Sequence, residues 1–335
     1  MKLLKDDDVS IAALDGKTVA VLGYGNQGRA QALNLRESGV QVVVGNRDDE
    51  YRELAVSEDF DPVGIPEAAA AGDVLLVLTT DESMPLIWDE QIVPGIEAGN
   101  VLCWGSGYNV GFEIIKPPAD TDWIMIAPMM PGNVVRTRYE QGQGVISQYA
   151  VERDSTGDAR DITLALCKGM GLTRAGIYET SFRGEAELNL YTEQVVWSGL
   201  AAWLQYCFEL AVENGFPPEN VIMALYASTE SSEIMRLMAE FGFYKQMTYH
   251  STTSQYGTLT RAENLISREM REQARHNLVN DIKGGAFVKE WTQDNAAASK
   301  RLEQCWKQAL EHPMSLAEDR VIGMIQGDDC DDVGA

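Results

Sequence analysis

The sequence is poor in basic residues and in histidine. Of its 335 residues, 27 are Lys or Arg, 51 are Asp or Glu and three are His, which gives a net charge of −24. A surface this negative repels phosphate backbones and anionic lipids, so we expect neither a nucleic acid nor a membrane as partner. Cysteine pairs of the CxxC type and metal-type cysteine spacings are also absent. The five cysteines are Cys103, Cys167, Cys207, Cys305 and Cys330. An odd, scattered set predicts reduced thiols in a cytoplasmic protein.

Two kinds of apolar segment are missing as well. The N-terminus, MKLLKDDDVS, has no apolar run of the kind found in a secretory signal, so we expect no signal peptide. The longest apolar stretch, residues 195–212, contains Ser198, Gln205 and Glu209 and is short for a membrane span, which predicts a buried helix. The composition, 45% hydrophobic and 23% charged, is typical of a globular protein. The length favours two domains.

Strand and helix patterns alternate in the first half of the chain. An apolar strand at 17–22 leads into the sequence GYGNQG, a helical pattern that ends at Gly39 and a second strand, QVVVG. Strand, glycine turn, helix and strand within about thirty residues form a βαβ unit. Further strands are predicted at 73–80, 100–106, 122–128 and 145–151. This alternation predicts an α/β Rossmann domain with a doubly wound parallel sheet over residues 1–181.

From residue 182 onward the patterns are helical. Predicted helices cover 185–214, 218–240, 260–282 and 294–311, and few strand patterns remain. We therefore expect an all-α domain over residues 182–325, followed by an acidic tail at 326–335.

The motif after the first strand predicts a dinucleotide site. Its GxGxxG glycines allow a tight turn, close approach of backbone N–H groups to a pyrophosphate, and close packing of helix on strand. The candidate cofactor-binding residues of this loop are Gly23, Tyr24, Gly25, Asn26, Gln27 and Gly28. The phosphates would lie at the N-terminus of the following helix.

The loop after the second strand bears on the choice of cofactor. Arg47 and Arg52 are suited to bind a 2′-phosphate and therefore favour NADP(H). The acidic residues of the same loop, Asp48, Asp49 and Glu50, would repel that phosphate. NADP(H) is favoured over NAD(H), and the acidic residues also allow the interpretation that this loop is merely solvated.

The sequence resembles the ketol-acid reductoisomerase family, short-chain class. The resemblance spans most of the chain and is carried by four segments: VAVLGYGNQGRAQALNLRESGVQVVVGNR, IAPMMPGNVVRTRYEQGQGV, CKGMGLTRAGIYETSFRGEAEL with TEQVV, and SQYG. It implies a knotted helical C-terminal domain and at least a homodimer. It also implies conversion of acetohydroxy acids to dihydroxy acids by Mg²⁺-dependent alkyl migration and hydride transfer from NADPH. Gly132, in PMMPG, is expected at the cofactor.

The sequence departs from this family where the isomerising chemistry resides. The family's active-site histidine aligns with Ser106 and its lysine with Met129. One bridging aspartate aligns with Asn189, and one carboxylate of the last helix pair aligns with Tyr226. Two Mg²⁺ ions polarise the substrate as Lewis acids and need carboxylate ligands. Of four carboxylates, Glu193 and Glu230 remain, and they are the candidate ligands for a Mg²⁺ ion whose binding is uncertain.

The retained and substituted positions predict a polar pocket. The resemblance places substrate at Ser251, and Tyr108 and Asn109 are expected to orient it. Asn189 and Glu193, and likewise Tyr226 and Glu230, are four residues apart, so each pair is expected on one helix face. The candidate catalytic residues are Glu193, Glu230, Tyr226, Ser106 and Asn189. A carboxyl group buried without a metal tends to be protonated and is then able to serve as an acid.

Three functions follow from these expectations. The first is an NAD(P)H-dependent reductase of a small keto or imine substrate that works without alkyl migration. The second is a genuine ketol-acid reductoisomerase of branched-chain amino-acid biosynthesis. The third is a catalytically silent NADP(H)-binding protein that regulates a partner.

Overall fold

The computed structural model describes residues 1–293 and 295–327. It divides the chain into two compact units, Met1–Asn189 and Leu190–Ala335. The first unit thus continues past the predicted boundary at residue 181. The predicted acidic tail lies outside the described residues from residue 328 on.

The first unit is built on a seven-stranded sheet with the order β2-β1-β3-β4-β5-β6-β7. Its strands are β1 Thr18–Leu22, β2 Gln41–Gly45, β3 Val74–Val77, β4 Val101–Trp104, β5 Asp122–Pro128, β6 Ser147–Arg153 and β7 Ile177–Glu179. Its helices are α1 Asn26–Glu37, α2 Glu50–Ser57, α3 Ile65–Ala71, α4 Met84–Ile87, α5 Tyr108–Gly111, α6 Gly132–Glu140, α7 Ala159–Gly169 and α8 Phe182–Tyr191, the last of which leads into the second unit. The predicted Rossmann architecture is confirmed.

The sheet departs from the prediction at one pairing. Neighbouring strands run parallel except β5 and β6, which are antiparallel. Pro128, at the end of β5, is paired with Ser147, at the start of β6. The connection through α6 therefore brings the chain back to the same end of β5, so β6 must run in the opposite direction. The sheet is mixed rather than wholly parallel.

Alternate residues of the strands enter two separate cores. In β1, Val19 and Val21 belong to the core on one face of the sheet, and Ala20 and Leu22 to the core on the other. Successive side chains of a strand point to opposite faces, so a strand buried on both sides reads as an unbroken apolar run. This burial explains the runs that identified the strands in the sequence.

The second unit is helical in its described residues. Its helices are α9 Ser198–Glu213, α10 Pro218–Ile222, α11 Glu230–Phe241, α12 Thr252–Arg261, α13 Arg268–His276, α14 Ala286–Gln293, α15 Asn295–Leu310 and α16 Pro313–Gln326. A small core joins α9, α10 and α16 through Phe208, Val221, Ile222, Ala317 and Val321. The knotted path that the resemblance implies stays a prediction.

Two of the predicted helices are broken. The helix expected at 218–240 breaks at Thr229, which adopts the left-handed conformation with φ +66° immediately before α11. The helix expected at 260–282 is divided between α12 and α13, where the Ser267 hydroxyl caps α13 by accepting the Met270 N–H. Helix α16 was missed. It begins after His312, a residue type that seldom caps a helix.

The prediction that residues 195–212 form a buried helix is wrong for the single chain. The segment is helical, but in α9 only Phe208 is buried, while Tyr206 and Leu210 are about half exposed and Trp197, just before it, is 57% exposed. The continuous helix Phe182–Glu213 is long and apolar enough to pass a membrane-span test based on length and composition alone. An apolar pattern indicates that a helix face is covered by other atoms, but it does not indicate whether the same chain covers it.

Candidate functional site

The loop after β1 has the geometry of a dinucleotide cradle. Gly23 has φ +102°, which favours glycine, and a Cβ there would lie 2.9 Å from the backbone oxygen of Leu78. A Cβ on Gly28 would overlap the backbone oxygen of Gly23, whereas a Cβ on Gly25 would meet no protein atom within 4 Å. The fold thus requires glycine at positions 23 and 28, whereas the position beside Gly25 is open space. That space precedes α1, where a pyrophosphate would lie.

Tyr24 anchors this loop from below. Its backbone N–H donates to Asn46 Oδ1 at 2.9 Å, and its fully buried ring places the hydroxyl 2.9 Å from Glu58 Oε2. Arg29 donates from Nε to the same carboxylate, with distances of 2.8 and 3.0 Å. Burial, and then the bond to Glu58, raise the pKa of Tyr24 far above its ordinary value. The side chain and the backbone N–H of Tyr24 are thus both engaged within the protein, and its predicted contact with a cofactor stays a prediction.

Gly132 lies directly against the glycine loop. A Cβ on Gly132 would overlap the backbone oxygen of Asn26. The Asn26 side chain accepts the Asn133 N–H at 3.2 Å, and Gln27 Nε2 donates to the Met130 oxygen at 2.9 Å. The side chains of Asn26 and Gln27 thus hold the loop after β5. The first-turn N–H groups of α1 remain the donors suited to phosphate.

The loop after β2 separates the two candidate arginines. Arg52 donates to the backbone oxygens of Asn46 and Pro62, at 3.3 and 2.8 Å, so its role is to hold the loop, and its predicted contact with a phosphate is disfavoured. Arg47 is largely exposed and uses Nε to bind Asp49. Its terminal amino groups therefore face the surroundings of the loop.

Asp49 has a structural role that the sequence did not reveal. Its carboxylate caps α2 by accepting the N–H groups of Tyr51 and Arg52, and it also accepts from Asn46 and Arg47. Burial alone would raise the pKa of Asp49, but the hydrogen bonds from Arg47, the Arg52 backbone and Asn46 outweigh it and lower the pKa. Its charge is therefore compensated within the loop.

The residues after β4 form a turn that is held by a buried carboxylate. Glu185, on α8 and 7% exposed, accepts the Gly107 N–H at 2.7 Å, and Ser106 Oγ lies 3.5 Å from the same oxygen. Ser106 in turn accepts the Tyr108 N–H at 3.2 Å. Sequence reasoning missed Glu185. Its position in a segment that carries the resemblance was the available signal. A carboxylate that is buried there requires hydrogen-bond donors nearby.

Tyr108 and Asn109 lie beside the loop after β3. Asn109 Nδ2 donates to the backbone and side-chain oxygens of Asp81, at 3.1 and 3.2 Å. The Tyr108 hydroxyl and Asn109 Oδ1 are buried and have no hydrogen-bond partner among the described residues. Burial, and then the charges of Asp81 and Glu82, raise the pKa of Tyr108 to about 12. The structure thus brings both residues to the carboxyl end of β4, and their contact with substrate stays a prediction.

In the second unit, Tyr226 and Glu230 are not presented together on one helix. Tyr226 lies in a π-helical turn, Thr229 interrupts the helix, and Glu230 begins α11 with its side chain exposed. The Tyr226 hydroxyl donates instead to Glu318 of α16. Burial, and then this bond, raise the pKa of Tyr226 well above its ordinary value. The prediction that Tyr226 and Glu230 lie on one helix face is therefore wrong.

The remaining candidates occupy helix ends and turns. Ser251 is the N-cap of α12 and accepts the Ser254 N–H at 3.2 Å. Asn189 lies near the end of α8, and Glu193 lies in the π-helical turn that follows it. Both side chains are exposed. Their predicted catalytic roles, and that of Ser251 in substrate binding, stay predictions.

The donor set does not fit a pair of magnesium ions. Among residues 1–293 and 295–327, no three His, Cys, Asp or Glu side chains are grouped closely enough to share a metal. Asn189 offers a neutral amide and Tyr226 a phenol that is bound to Glu318. At the position of the family's lysine, the Met129 sulfur accepts from Tyr178 at 3.4 Å. Mg²⁺ prefers carboxylate oxygens, and the amide, phenol and thioether at these positions do not replace them.

Family models match almost the whole chain. Residues 13–176 match the acetohydroxy acid isomeroreductase NADPH-binding domain, and residues 182–326 match the ketol-acid reductoisomerase C-terminal domain. The chain belongs to the ketol-acid reductoisomerase family. The resemblance inferred from the sequence is confirmed, and with it an oxidoreductase with a Rossmann domain and a helical C-terminal domain.

Individual relatives agree with this assignment. The ketol-acid reductoisomerase (NADP(+)) of Pyrobaculum aerophilum is 39% identical over 328 residues, which cover 97% of this chain and 99% of the relative. The enzyme of the same name from Methanopyrus kandleri is 38% identical over 98% of this chain and 99% of its own. Among solved structures, an NADH-preferring ketol-acid reductoisomerase from an uncultured archean matches with a TM-score of 0.91 at 34% identity, and the match covers 97% of this chain and 99% of that one.

The glycine loop allows a matched pair of substitutions. We expect Gly25→Ala to leave the thermal midpoint within a few degrees and to weaken binding of reduced cofactor at least about tenfold, because the added methyl group meets only the space for the pyrophosphate. Gly28→Ala should lower the thermal midpoint as well, because its methyl group overlaps Gly23. Calorimetry and fluorescence titration with NADPH measure both effects. Equal losses of stability in the two variants would contradict this assignment.

Proposed function

We propose that this enzyme reduces the carbonyl group of a small keto substrate, or the corresponding imine, with a reduced nicotinamide cofactor and without alkyl migration. When bound, the cofactor supplies a hydride. The observation that carries the proposal is a contrast between the residues for cofactor binding and those for isomerisation. The glycine loop keeps the shape that a dinucleotide needs, while Ser106, Met129, Asn189 and Tyr226 replace charged groups that a two-magnesium isomerisation needs.

The residues after β4 support carbonyl reduction. Glu185 fixes the Ser106–Gly107 turn through the 2.7 Å bond to the Gly107 N–H. In doubly wound folds ligands bind outside the carboxyl ends of the strands, and this turn lies there. Reduction requires a positioned carbonyl and one proton for its oxygen, and both are attainable without a Lewis acid. Glu193 and Glu230 remain candidate acids, whereas the hydroxyl of Tyr226 is engaged by Glu318.

The second candidate is a genuine ketol-acid reductoisomerase. It is favoured by identity of 38–39% over nearly the full length of two relatives that bear this name. The two candidates differ in the carbon skeleton of the product and in the requirement for divalent cations.

Product analysis separates the two candidates. The purified enzyme is supplied with NADPH and either ¹³C-labelled 2-acetolactate or 2-oxobutanoate, with Mg²⁺ or with EDTA, and the products are identified by NMR. We expect oxidation of cofactor that survives EDTA and products with unrearranged skeletons. A rearranged dihydroxy acid that forms only with Mg²⁺ would contradict the proposal and establish the second candidate.

We further propose NADP(H) as the preferred cofactor. Arg47 is exposed and binds Asp49 through Nε alone, which leaves its terminal amino groups for a 2′-phosphate. The charge of Asp49 is compensated by its bonds within the α2 cap, so it opposes the phosphate less than its sequence position suggested.

Substitution of Arg47 tests this preference. Arg47→Ala should raise the dissociation constant for NADPH about tenfold, because a charge-assisted contact to the phosphate is lost, and change that for NADH less than twofold. Arg52→Lys is a useful comparison, because we expect it to affect the stability of the loop and both cofactors alike. A parallel loss of NADPH and NADH affinity in Arg47→Ala would contradict the assignment.

We also propose that the enzyme is a cytoplasmic homodimer or higher homo-oligomer. The exposed apolar side chains of helix α9 need a cover, for which a lipid bilayer and a second copy of the chain are the two available kinds. The net charge of −24 and the carboxylates of Glu209 and Glu213 on the same helix disfavour a bilayer. A second copy is therefore the cover that we propose.

The mass in solution tests this assembly. Sedimentation should give at least twice the chain mass of 36.9 kDa without detergent. Tyr206→Arg, on the exposed face of α9, should shift the protein toward the monomer, because burial of an unpaired guanidinium is unfavourable. Tyr51→Arg, on an exposed side chain of α2, is the matched control and should leave the mass unchanged. A wild-type monomer would contradict the proposal.

A further inference from the structure

Three loops of the first unit lie side by side at one edge of the sheet. They follow β1, β3 and β4, which are neighbouring parallel strands, so their carboxyl ends meet at that edge. A Cβ on Gly23 would lie 2.9 Å from the backbone oxygen of Leu78, and a Cβ on Gly105 would lie 3.0 Å from Leu78 Cδ2. Strands are about 4.8 Å apart, so the turn at Ser106 lies about 10 Å from the glycine loop, within reach of a dinucleotide that extends along this edge.

Carboxylates outnumber cations around this turn. The loop after β3 and the first two turns of α8 contain four acids and one base, namely Asp81, Glu82, Glu185, Glu187 and Arg183. Arg183 binds Glu187 through Nε at 2.7 Å. The glycine loop and residues 105–112 contain no charged side chain. Because the charge around the turn is negative, it attracts a cationic substrate and repels an anionic one.

Two acceptors at the turn are suited to a cation. The carboxylate of Glu185 is 7% exposed and accepts the Gly107 N–H at 2.7 Å, which fixes its orientation. Asn109 donates from Nδ2 to two oxygens of Asp81, so its amide is fixed as well. The buried Oδ1 of Asn109 has no donor among the described residues. A positively polarised group is the complement of both acceptors.

The hydroxyl groups of the turn are poor proton donors to a substrate. Ser106 Oγ donates to Glu185 Oε2 at 3.5 Å. Burial, and then the charges of Asp81 and Glu82, raise the pKa of Tyr108 to about 12. Reduction of a neutral carbonyl requires a proton donor, whereas an iminium ion already carries the positive charge that a hydride neutralises. The turn is therefore better suited to an iminium ion than to a ketone.

We propose that the substrate is a small iminium ion, the condensation product of a carbonyl compound and an amine, and that Glu185 stabilises its charge. This inference rests on the proposed reductase function and names its substrate class. As the iminium carbon accepts a hydride, the C=N π electrons become the lone pair of the nitrogen. One C–H bond forms, the C=N π bond breaks, and an amine and the oxidised cofactor remain, with no proton taken up. The step thus requires no acid from the second unit.

Substrates that differ in charge test this class. The full-length enzyme is supplied with NADPH and with the permanently cationic 1,2-dimethyl-1-pyrrolinium, the neutral 2-methylcyclopentanone or the anionic 2-oxobutanoate. We expect a kcat/KM for the iminium ion at least about 100-fold above that for either ketone, because the carboxylates around the turn favour the cation. An iminium ion is also intrinsically more electrophilic than a ketone, so variants must separate charge stabilisation from reactivity.

Removal of one charge makes this separation. Glu185→Gln keeps an oxygen for the Gly107 N–H and removes the charge. It should lower kcat/KM for the iminium ion about tenfold or more and leave that for 2-methylcyclopentanone within about threefold. Glu152→Gln, exposed at the opposite end of the sheet, is the matched control and should behave as wild type. Equal losses with both substrates in Glu185→Gln would indicate a structural role and overturn the inference.

A surface substitution decides the question should Glu185→Gln fail to fold. Glu82 is exposed, and its charge acts on Tyr108. Glu82→Gln should lower kcat/KM for the iminium ion about two- to threefold at low salt, and the effect should disappear near 1 M salt, because exposed charges are screened. An unchanged kcat/KM at low salt would then overturn the inference.

The remaining outcomes separate this inference from the proposed function. Turnover of 2-oxobutanoate without turnover of the iminium ion would overturn the inference alone. Failure to oxidise NADPH with any of the three compounds would contradict the proposed reductase function itself. In that event, calorimetry of the enzyme with NADP⁺ compares the binding of N,N-dimethylpyrrolidinium with that of 2-oxobutanoate. Tighter binding of the cation that is lost in Glu185→Gln supports the cation site, and equal binding overturns it.

Discussion

Charge balance decides which reaction these side chains are able to support. Two magnesium ions carry four positive charges, and a protein binds them only where carboxylates compensate that charge at oxygen-ligand distances. In this chain the positions that resemble the family's ligands include a neutral amide at Asn189 and a phenol at Tyr226. The phenol donates to Glu318, and burial and this bond raise its pKa well above the ordinary value. Reduction of a carbonyl makes no comparable demand, because one proton neutralises the oxygen as the hydride arrives.

The same principle organises the cofactor loop. Buried polar groups there are paired with one another: Tyr24 and Arg29 with Glu58, and Asp49 with the first turn of α2 and with Arg47. Burial raises the pKa of a carboxyl group, yet the hydrogen bonds around Glu58 and Asp49 lower it. The glycine loop is consequently fixed by its neighbours, while its open side at Gly25 is left for a ligand.

The fold was predictable from the sequence to the extent that burial is local and periodic. The strands of the Rossmann unit are buried on both faces, so their apolar runs, such as β5 at Asp122–Pro128, mark them directly. The direction of β6 was not predictable, because it depends on which end of β5 the chain returns to. In the helical unit the left-handed Thr229 divided an apparently regular helix, since apolar spacing carries no information about a single φ angle.

The candidate site was predictable where the residue type itself dictates the geometry. Gly23 and Gly28 admit no side chain, so the motif identified them. The roles of long polar side chains were not predictable, because they depend on partners distant in sequence. Arg52 binds two backbone oxygens, Tyr226 binds Glu318, and Glu185 holds the Gly107 N–H from 78 residues away. Asp49, which looked unfavourable for NADP(H) in the sequence, is a helix cap.

Counting the divalent cations that the enzyme binds distinguishes carbonyl reduction from a two-magnesium isomerisation. Mn²⁺ is added in steps to the enzyme saturated with NADPH, and free Mn²⁺ is measured by electron paramagnetic resonance at physiological ionic strength. We expect no pair of tightly bound ions, with at most one weak site that is lost in the Glu193→Gln, Glu230→Gln double variant. Two ions bound tightly to each chain would show that the carboxylates present suffice for isomerisation and would overturn the proposed reduction without migration.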